Sequence, residues 1–246
     1  MKKKILNKIM AIKYNYNFQY HKKQKLIVIW QAKSACTIVN KMYYKQEGLL
    51  DKALKHHKWI HNYRILHSLK NSKIRNNAIK NKSNRYIQFV VSPYRRAVSS
   101  YIHAMKPLKY GKLFGKENRN ISFDQFLNIL LKRKVEPNIH HDKQTFFLHK
   151  SRKIEYIKME EIEKKLPIIN KKYGLNYKLH TSSHHVKKNS VNNNKFIGEK
   201  PWNTIKDNIP EKYHNFYNKD IRKKVKRLYA EDIKNFGYTW DMFVNN

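Results

Sequence analysis

A short apolar run that ends at a polar turn constrains the fold of this chain more than any other feature. Residues 25–30 read KLIVIW and are rich in β-branched side chains, which is typical of a strand buried on both faces of a parallel sheet. From Thr37 onward, apolar residues recur at helical spacing, at Ile38, Met42 and Leu49. The residues in between, 31–36 (QAKSAC), are therefore predicted to form a tight turn from strand to helix. Such a turn is a place for anions, because the N–H groups of a helix start point at it.

Two further segments extend this pattern into a sheet. Residues 86–91 (YIQFVV) predict a second strand, and Pro93 follows at the first turn of a helix, where its missing N–H costs nothing. Residues 154–158 alternate like a third strand. Strands that alternate with helices indicate an α/β fold, with a central, mainly parallel sheet flanked by helices.

Several helices can be placed between and after these strands. Residues 123–131 carry apolar side chains at helical spacing behind a predicted N-cap, Ser122. Residues 159–166 are predicted to be helical and to stop at Pro167. One long amphipathic helix is predicted from Ile221 to a C-terminal glycine, Gly237. Within residues 52–84, one weakly amphipathic helix is predicted from the positions of Trp59, Ile60, Tyr63, Leu66 and Leu69.

The composition indicates one domain. Of the 246 residues, 40% are hydrophobic and 13% aromatic, which is enough apolar surface for one sizeable core. We expect residues 1–24 to be a basic, loosely attached lead-in and residues 25–246 to form the α/β domain. Cys36 is the single cysteine, so an internal disulfide is excluded. Because no apolar stretch approaches a membrane span or a signal-peptide core, we expect a cytoplasmic or otherwise soluble protein.

The formal net charge of +37 predicts attraction to polyanions such as nucleic acid, sulfated glycan, anionic membrane or a phosphorylated nucleotide. It does not choose among them, and AT-rich coding also produces such an excess of Lys with abundant Asn, Ile and Tyr. A nucleic-acid-binding or other polyanion-binding protein without catalytic activity is therefore an alternative hypothesis. Its nearest support is the aromatic segment 14–18 beside the basic N-terminus, and no zinc finger, RNA-recognition or helix-turn-helix pattern accompanies it.

The turn at residues 31–37 (QAKSACT) contains no glycine, whereas a Walker A loop reads G-x-x-x-x-G-K-[ST]. Its lysine precedes the turn amides. That order resembles the 5′-phosphosulfate loop of the sulfotransferase family, specifically its Golgi carbohydrate-type branch, in which a strand runs into P-K-x-[GA]-[CS]-[TS] and then a helix. Ala32 stands where the pattern has proline, and the positions that match are Lys33, Ala35, Cys36 and Thr37.

Residues 89–101 (FVVSPYRRAVSSY) are similar to the 3′-phosphate block of the same family, V-R-x-P-[FY]-x-R-x-[VL]-S-x-Y. The family's arginine before the proline falls on Val91, which cannot bind a phosphate. Arg95 and Arg96 lie four and three residues before Ser99, so on a helix either is placed to supply the missing charge. The positions that match are Pro93, Tyr94, Arg96, Val98, Ser99 and Tyr101.

Two later segments also resemble this branch. Residues 157–162 (IKMEEI) are similar to its middle strand and helix, and residues 226–238 (KRLYAEDIKNFGY) to its closing pattern Y-x-x-D-[FI]-x-x-[FL]-G-Y. The blocks follow the family's order over about residues 26–240. The resemblance therefore implies a P-loop-like sulfotransferase fold for most of the chain.

The resemblance also implies an activity, namely sulfuryl transfer from 3′-phosphoadenosine 5′-phosphosulfate (PAPS) to a hydroxyl or amine acceptor, with a glycan as the expected partner and no metal. Turn amides and the Thr37 hydroxyl would hold the 5′-phosphate, and Lys33 would meet the bridging oxygen as its bond breaks. The expected cofactor-binding residues are Lys33, Ser34, Ala35, Cys36, Thr37, Ile38, Arg95, Arg96 and Ser99.

A general base completes the implied mechanism, and the family places a Glu or His between the two cofactor blocks. Four histidines lie there. His61 is favoured because its apolar neighbours would seat it on a packed helix, and His67 remains open as the alternative. The expected catalytic residues are thus Lys33 and His61.

Overall fold

A four-stranded sheet organises the chain. The computed structural model describes residues 17–106, 120–132, 138–145, 148–179 and 195–245. The strands are β1 (Phe18–His21), β2 (Leu26–Ile29), β3 (Arg85–Val90) and β4 (Ile154–Lys158), in the spatial order β1-β2-β3-β4. β2, β3 and β4 pair in parallel, and β1 pairs antiparallel with β2. The three strands and the mainly parallel sheet predicted from the sequence are confirmed.

Helices fill most of the remaining described chain, and none of them is long and apolar enough to cross a bilayer. Two 3₁₀ turns, Met159–Glu161 and Tyr213–Phe216, supplement them. The α-helices of the described residues are α1 (Cys36–Gln46), α2 (Leu50–His56), α3 (Ile60–Lys70), α4 (Ser72–Lys80), α5 (Pro93–Met105), α6 (Phe123–Leu131), α7 (Ile162–Tyr173), α8 (Trp202–Ile205), α9 (Lys219–Leu228), α10 (Ala230–Phe236) and α11 (Trp240–Val244).

The described residues of this single α/β domain group into two compact units. The first contains the sheet and comprises residues 17–91, 144–145 and 148–179. The second comprises residues 92–106, 120–132, 138–143 and 195–245. Each unit has its own apolar core.

Both faces of β2 are covered, which explains its uninterrupted apolar sequence. Leu26 and Val28 belong to a core that includes residues of α1 and α7. Ile27 and Ile29 belong to the core of the opposite face, together with Phe18 of β1. The side chains alternate between the two faces because the period of a strand is two residues.

The lead-in expected over residues 1–24 is corrected at its C-terminal end. Phe18–His21 is a strand in register with β2, so that Phe18 lies opposite Ile29, and the Phe18 side chain is fully buried. Arg75 of α4 donates to the Phe18 carbonyl and stacks on the ring at 4.0 Å. These contacts attach the segment to the sheet. Residues 1–16 lie outside the described residues.

The second unit is built on an aromatic core. Tyr101 and Phe126 lie fully buried in it, together with Phe216 and Ile221. The helix predicted at 123–131 is confirmed with its cap, since the Ser122 hydroxyl accepts from the Gln125 N–H while the Gln125 side chain accepts from the Ser122 N–H. This reciprocal arrangement satisfies two N–H groups that a helix start otherwise leaves unpaired.

Two helix predictions were wrong, one in where the helix ends and one in its continuity. α7 continues past Pro167 to Tyr173, because its apolar face, which buries Leu166 and Ile169, extends on both sides of the proline. The long C-terminal helix is interrupted at Tyr229, whose φ of −117° is not helical. The Tyr229 hydroxyl instead donates to the His141 carbonyl in the core. The predicted end at Gly237 is confirmed, with φ +62°.

The region 52–84 also departs from the prediction. Three helices replace the single one expected, because Asn71 and the residues around 57–59 leave helical geometry. Ile60 and Tyr63 are buried as the apolar pattern indicated, but Trp59, Leu66 and Leu69 are about half exposed.

Candidate functional site

The turn between β2 and α1 has a strained backbone. Lys33 and Ala35 adopt φ values of +66° and +56°, in the left-handed region that usually takes glycine. The Ser34 N–H donates to the Gln31 carbonyl at 3.1 Å and closes the turn. A non-glycine residue in this region costs of order 1–3 kcal/mol, and such strain clusters at binding sites. The chain thus achieves without glycine a turn that glycine would ease.

The start of α1 is shaped for an anion. Ala35 is the N-cap, makes no side-chain cap hydrogen bond, and is followed by a first turn without acidic residues. The N–H groups of Cys36, Thr37 and Ile38 belong to that first turn, where no intrahelical acceptor exists. Together with the positive end of the helix dipole they favour negative charge. The Ser34 N–H is already hydrogen-bonded inside the turn. Of the backbone N–H groups of residues 34–38 that were expected to bind the 5′-phosphate, that of Ser34 is therefore not available to a ligand.

The side chain of Gln144 anchors the turn through hydrogen bonds. It is fully buried, and its Oε1 accepts from the Ser34 hydroxyl at 2.5 Å and from the Val91 N–H at 3.0 Å. Its Nε2 donates to the Val91 carbonyl at 2.8 Å, and its own carbonyl accepts from Gln88 Nε2 at 2.6 Å. One side chain therefore joins the turn after β2 to the residue that follows β3.

Sequence reasoning missed Gln144. Nothing around it in the sequence marks it, because a glutamine in a loop normally faces solvent. Its importance arises from parallel pairing, which brings the carboxyl ends of β2 and β3 to the same edge of the sheet. There the polar groups of the chain leaving each strand need buried partners.

His61 lies against the first turn of α1. Its Nε2 is 3.1 Å from Thr37 Oγ1 and 3.6 Å from Cys36 Sγ, and its ring packs edge-on against Trp59. Burial, reinforced by the positive charges of Arg64 and Lys33, lowers the pKa of His61 to about 3. The imidazole is therefore neutral at neutral pH and forms one hydrogen bond with the Thr37 hydroxyl.

His67, the alternative candidate, lies in a different environment. Its ring stacks on Tyr63 and meets the rings of Tyr43 and Tyr44 edge-on. Burial is the main cause that lowers its pKa. The geometry thus distinguishes the two histidines, since His61 contacts the turn and His67 packs in an aromatic cluster.

The residues predicted for the second half of the site lie on α5. Arg96 is 1% exposed, donates from Nη2 to the Ile139 carbonyl at 3.1 Å and lies over the Tyr229 ring at 5.9 Å. Arg95 is exposed, and Ser99 is half-buried. Of the two arginines weighed for the charge missing at Val91, Arg96 is thus engaged in the core of the second unit, and Arg95 faces solvent.

The pKa of His61 makes a prediction about stability. In the unfolded chain, His61 binds a proton as the pH falls below its ordinary pKa of 6.5, whereas in the folded protein it stays unprotonated down to about pH 3. The unfolded state therefore binds more protons in this window, and stability falls as pH drops through it. Between pH 7 and 5.5 we expect His61 to account for about 1 kcal/mol of lost unfolding free energy, measured by urea titration. His61→Gln should remove that share, and the exposed His56→Gln should not. An unchanged pH slope in His61→Gln would contradict the assignment.

Comparison with known proteins gives one result. The chain matches the family model described as "Sulfotransferase family" over residues 16–239. No curated protein and no solved structure matches it. The matched range contains the turn, α1, His61 and α5.

Proposed function

The chain belongs to the sulfotransferase family, and we propose that it transfers a sulfuryl group from PAPS to a hydroxyl or amine group of a carbohydrate. The observation that carries this proposal is the turn between β2 and α1. Its left-handed backbone, its lysine and the open start of α1 together form a donor set for a phosphate.

The donor set suits the 5′ end of PAPS. We assign the phosphate to the N–H groups of Cys36, Thr37 and Ile38 and to the Thr37 hydroxyl, with Ser34 and Ala35 shaping the turn. When bound, PAPS supplies the sulfuryl group and a phosphate leaving group. Lys33 would place its ammonium beside that leaving group, where negative charge grows as the bond breaks. These groups bring positive charge from the chain itself, so the proposal needs no metal.

The low pKa of His61 keeps its imidazole neutral and free to accept a proton. A pKa of about 3 also makes it a weak base, so the proposed role requires that the negative charge of bound PAPS raise this pKa. The Nε2 of His61 also holds Thr37 Oγ1 at 3.1 Å. To accept a proton from an acceptor hydroxyl, His61 Nε2 must first break its hydrogen bond with Thr37 and bind the acceptor instead. We therefore propose two roles for it, holding Thr37 in the resting protein and accepting the proton at Nε2 during transfer.

For the 3′-phosphate we propose Ser99 and Arg95. Arg95 is solvent-exposed and one helical turn from Ser99, a spacing that lets both side chains share a face of α5. Arg96, the other arginine considered, supports the fold of the second unit through Ile139 and Tyr229. Replacing Arg96 should therefore lower the free energy of unfolding more than it lowers nucleotide affinity.

The charge of the chain supports an anionic acceptor. A formal net charge of +37 raises the local concentration of negatively charged molecules. A glycan that already carries carboxylate or sulfate groups has this charge and also has hydroxyl and amine groups to accept the sulfuryl group.

Calorimetric titration with adenosine 3′,5′-bisphosphate tests the proposal. We expect saturable binding of one molecule per chain. In Lys33→Ala it should weaken about tenfold or more, because a charge-assisted hydrogen bond is worth about 1.5–3 kcal/mol. Lys45→Ala is the matched control, since Lys45 is exposed near the far end of the same helix.

The same titration separates this proposal from the alternative, a polyanion-binding protein without catalytic activity, which the net charge favours. Such a protein would bind long nucleic acid with an affinity that falls steeply with salt, and would not saturate with the mononucleotide. That result, or equal loss in Lys33→Ala and Lys45→Ala, would refute the sulfotransferase site.

A further inference from the structure

The helices α2, α3 and α4 carry most of the exposed apolar surface of the first unit. Among the described residues, ten large apolar side chains are exposed, and six of these lie within residues 54–74. We call the exposed side of α2–α4 the helical surface. Its apolar members are Leu54, Trp59, Ile65, Leu66, Leu69 and Ile74.

Three of these side chains share one face of α3. Ile65, Leu66 and Leu69 lie within an arc of about 100° on α3. The opposite side of α3 is buried, through Ile60 and Tyr63 among others. α2 and α4 both pack against α3 and contribute the remaining aliphatic members. α3 thus has two apolar sides, and the core covers one of them.

The same helices also carry many exposed lysines. Asp51 is the only carboxylate in residues 50–84. Seven lysines of the same region are exposed, namely Lys52, Lys55, Lys58, Lys70, Lys73, Lys80 and Lys82. An interfacial membrane-binding surface requires exposed apolar side chains together with an excess of positive charge. The apolar groups enter the acyl boundary, and the lysines contact anionic headgroups.

We propose that the helical surface binds the face of an anionic lipid bilayer. Nucleic acid fits it less well, because aliphatic side chains do not stack on bases and Trp59 is its one aromatic member. A second copy of the chain also fits less well, because the lysines of two such surfaces would oppose each other. Trp59 contacts His61 through their rings at 5.1 Å, so the bound membrane would lie beside the candidate site.

Vesicle cosedimentation of the full chain tests this proposal. We expect binding to vesicles of phosphatidylcholine and phosphatidylserine in roughly a 7:3 ratio, and much weaker binding to phosphatidylcholine alone. The double variant Leu66→Ser/Leu69→Ser should lower the partition coefficient about tenfold or more, since both side chains would leave the acyl boundary. Ile168→Ser is the matched control, because Ile168 is 60% exposed on α7, outside the helical surface.

Two double variants that reverse lysine charges complete the test. Lys70→Glu/Lys73→Glu should weaken binding to the anionic vesicles more than Lys164→Glu/Lys165→Glu, which changes two exposed lysines of α7. Circular dichroism of each variant checks that it is folded. Because adenosine 3′,5′-bisphosphate binding is measured separately, failure here leaves the proposed sulfotransferase site unaffected.

Four outcomes would overturn the proposal. The first is no binding to either vesicle, and the second is equal loss in a variant and its matched control. The third is anionic-vesicle binding that Leu66→Ser/Leu69→Ser leaves unchanged, which identifies a mere polycation. The fourth is concentration-dependent self-association that the same double variant abolishes, which identifies a second copy as the occupant.

Discussion

Replacing Lys33 by alanine is expected to lower the kcat of sulfuryl transfer about 10²–10³-fold, the usual effect of removing one donor to a developing negative charge. The substitution isolates the ammonium. Lys33 has a φ of +66°, a value that alanine tolerates no better than lysine, so the strain of the turn is retained. Lys33→Gly would instead relax the backbone and mix two effects.

The measurement is the formation of adenosine 3′,5′-bisphosphate from PAPS, followed by chromatography, with anionic glycans, a tyrosyl peptide and small alcohols as acceptors. The matched variant Lys45→Ala should retain wild-type turnover, because Lys45 is exposed near the C-terminal end of α1. Loss of nucleotide affinity in Lys33→Ala with unchanged kcat would show that the lysine binds the ground state and the transition state equally. The assigned role at the leaving group would then be wrong.

Replacing Gln144 by leucine is expected to lower the unfolding free energy by about 3 kcal/mol or more, because buried groups left without partners cost about 1–3 kcal/mol each. The leucine keeps the volume but loses the bonds to the Ser34 hydroxyl and to both backbone groups of Val91. Since these bonds hold the turn, nucleotide affinity should fall together with stability. Urea titration measures the first effect and calorimetry the second.

Gln24→Leu is the matched control, because the Gln24 side chain donates a solvent-exposed hydrogen bond to the Gly174 carbonyl and the substitution leaves the Gln24 backbone unchanged. It should change stability by less than about 0.5 kcal/mol. If Gln144→Leu does not fold, Ser34→Ala tests the same contact with a smaller change. Full nucleotide affinity in Ser34→Ala would contradict the positioning of the turn through Gln144.

Much of the fold was predictable from local pattern. The runs at 25–30 and 86–91 are strands close to their predicted limits, because a mostly apolar run rich in β-branched and aromatic residues has few other ways to be buried. Residues 154–158 form a strand as their alternating pattern predicted. The turn at 31–36 and the helix from Pro93 also follow from local chemistry, since a polar break and a proline act within a few residues.

Other features depended on contacts distant in sequence. Phe18–His21 contributes a strand because β2 offers it an open edge. Pro167 lies inside α7 because the apolar face on either side of it is buried. On α3, the apolar side chains of Leu66 and Leu69 suggest a core position, but Ile60 and Tyr63 occupy the buried side instead. No local pattern reveals which apolar face finds a partner.

The candidate site divides in the same way. Its residue types and their order along the chain were legible in the one-dimensional pattern, because a lysine, a turn and a helix start are neighbours in sequence. The roles of Gln144 and His61 at the turn became visible in three dimensions. They come from residues 110 and 24 positions away from their partners, Ser34 and Thr37. A burial requirement selects such partners, and burial is a property of the packed chain.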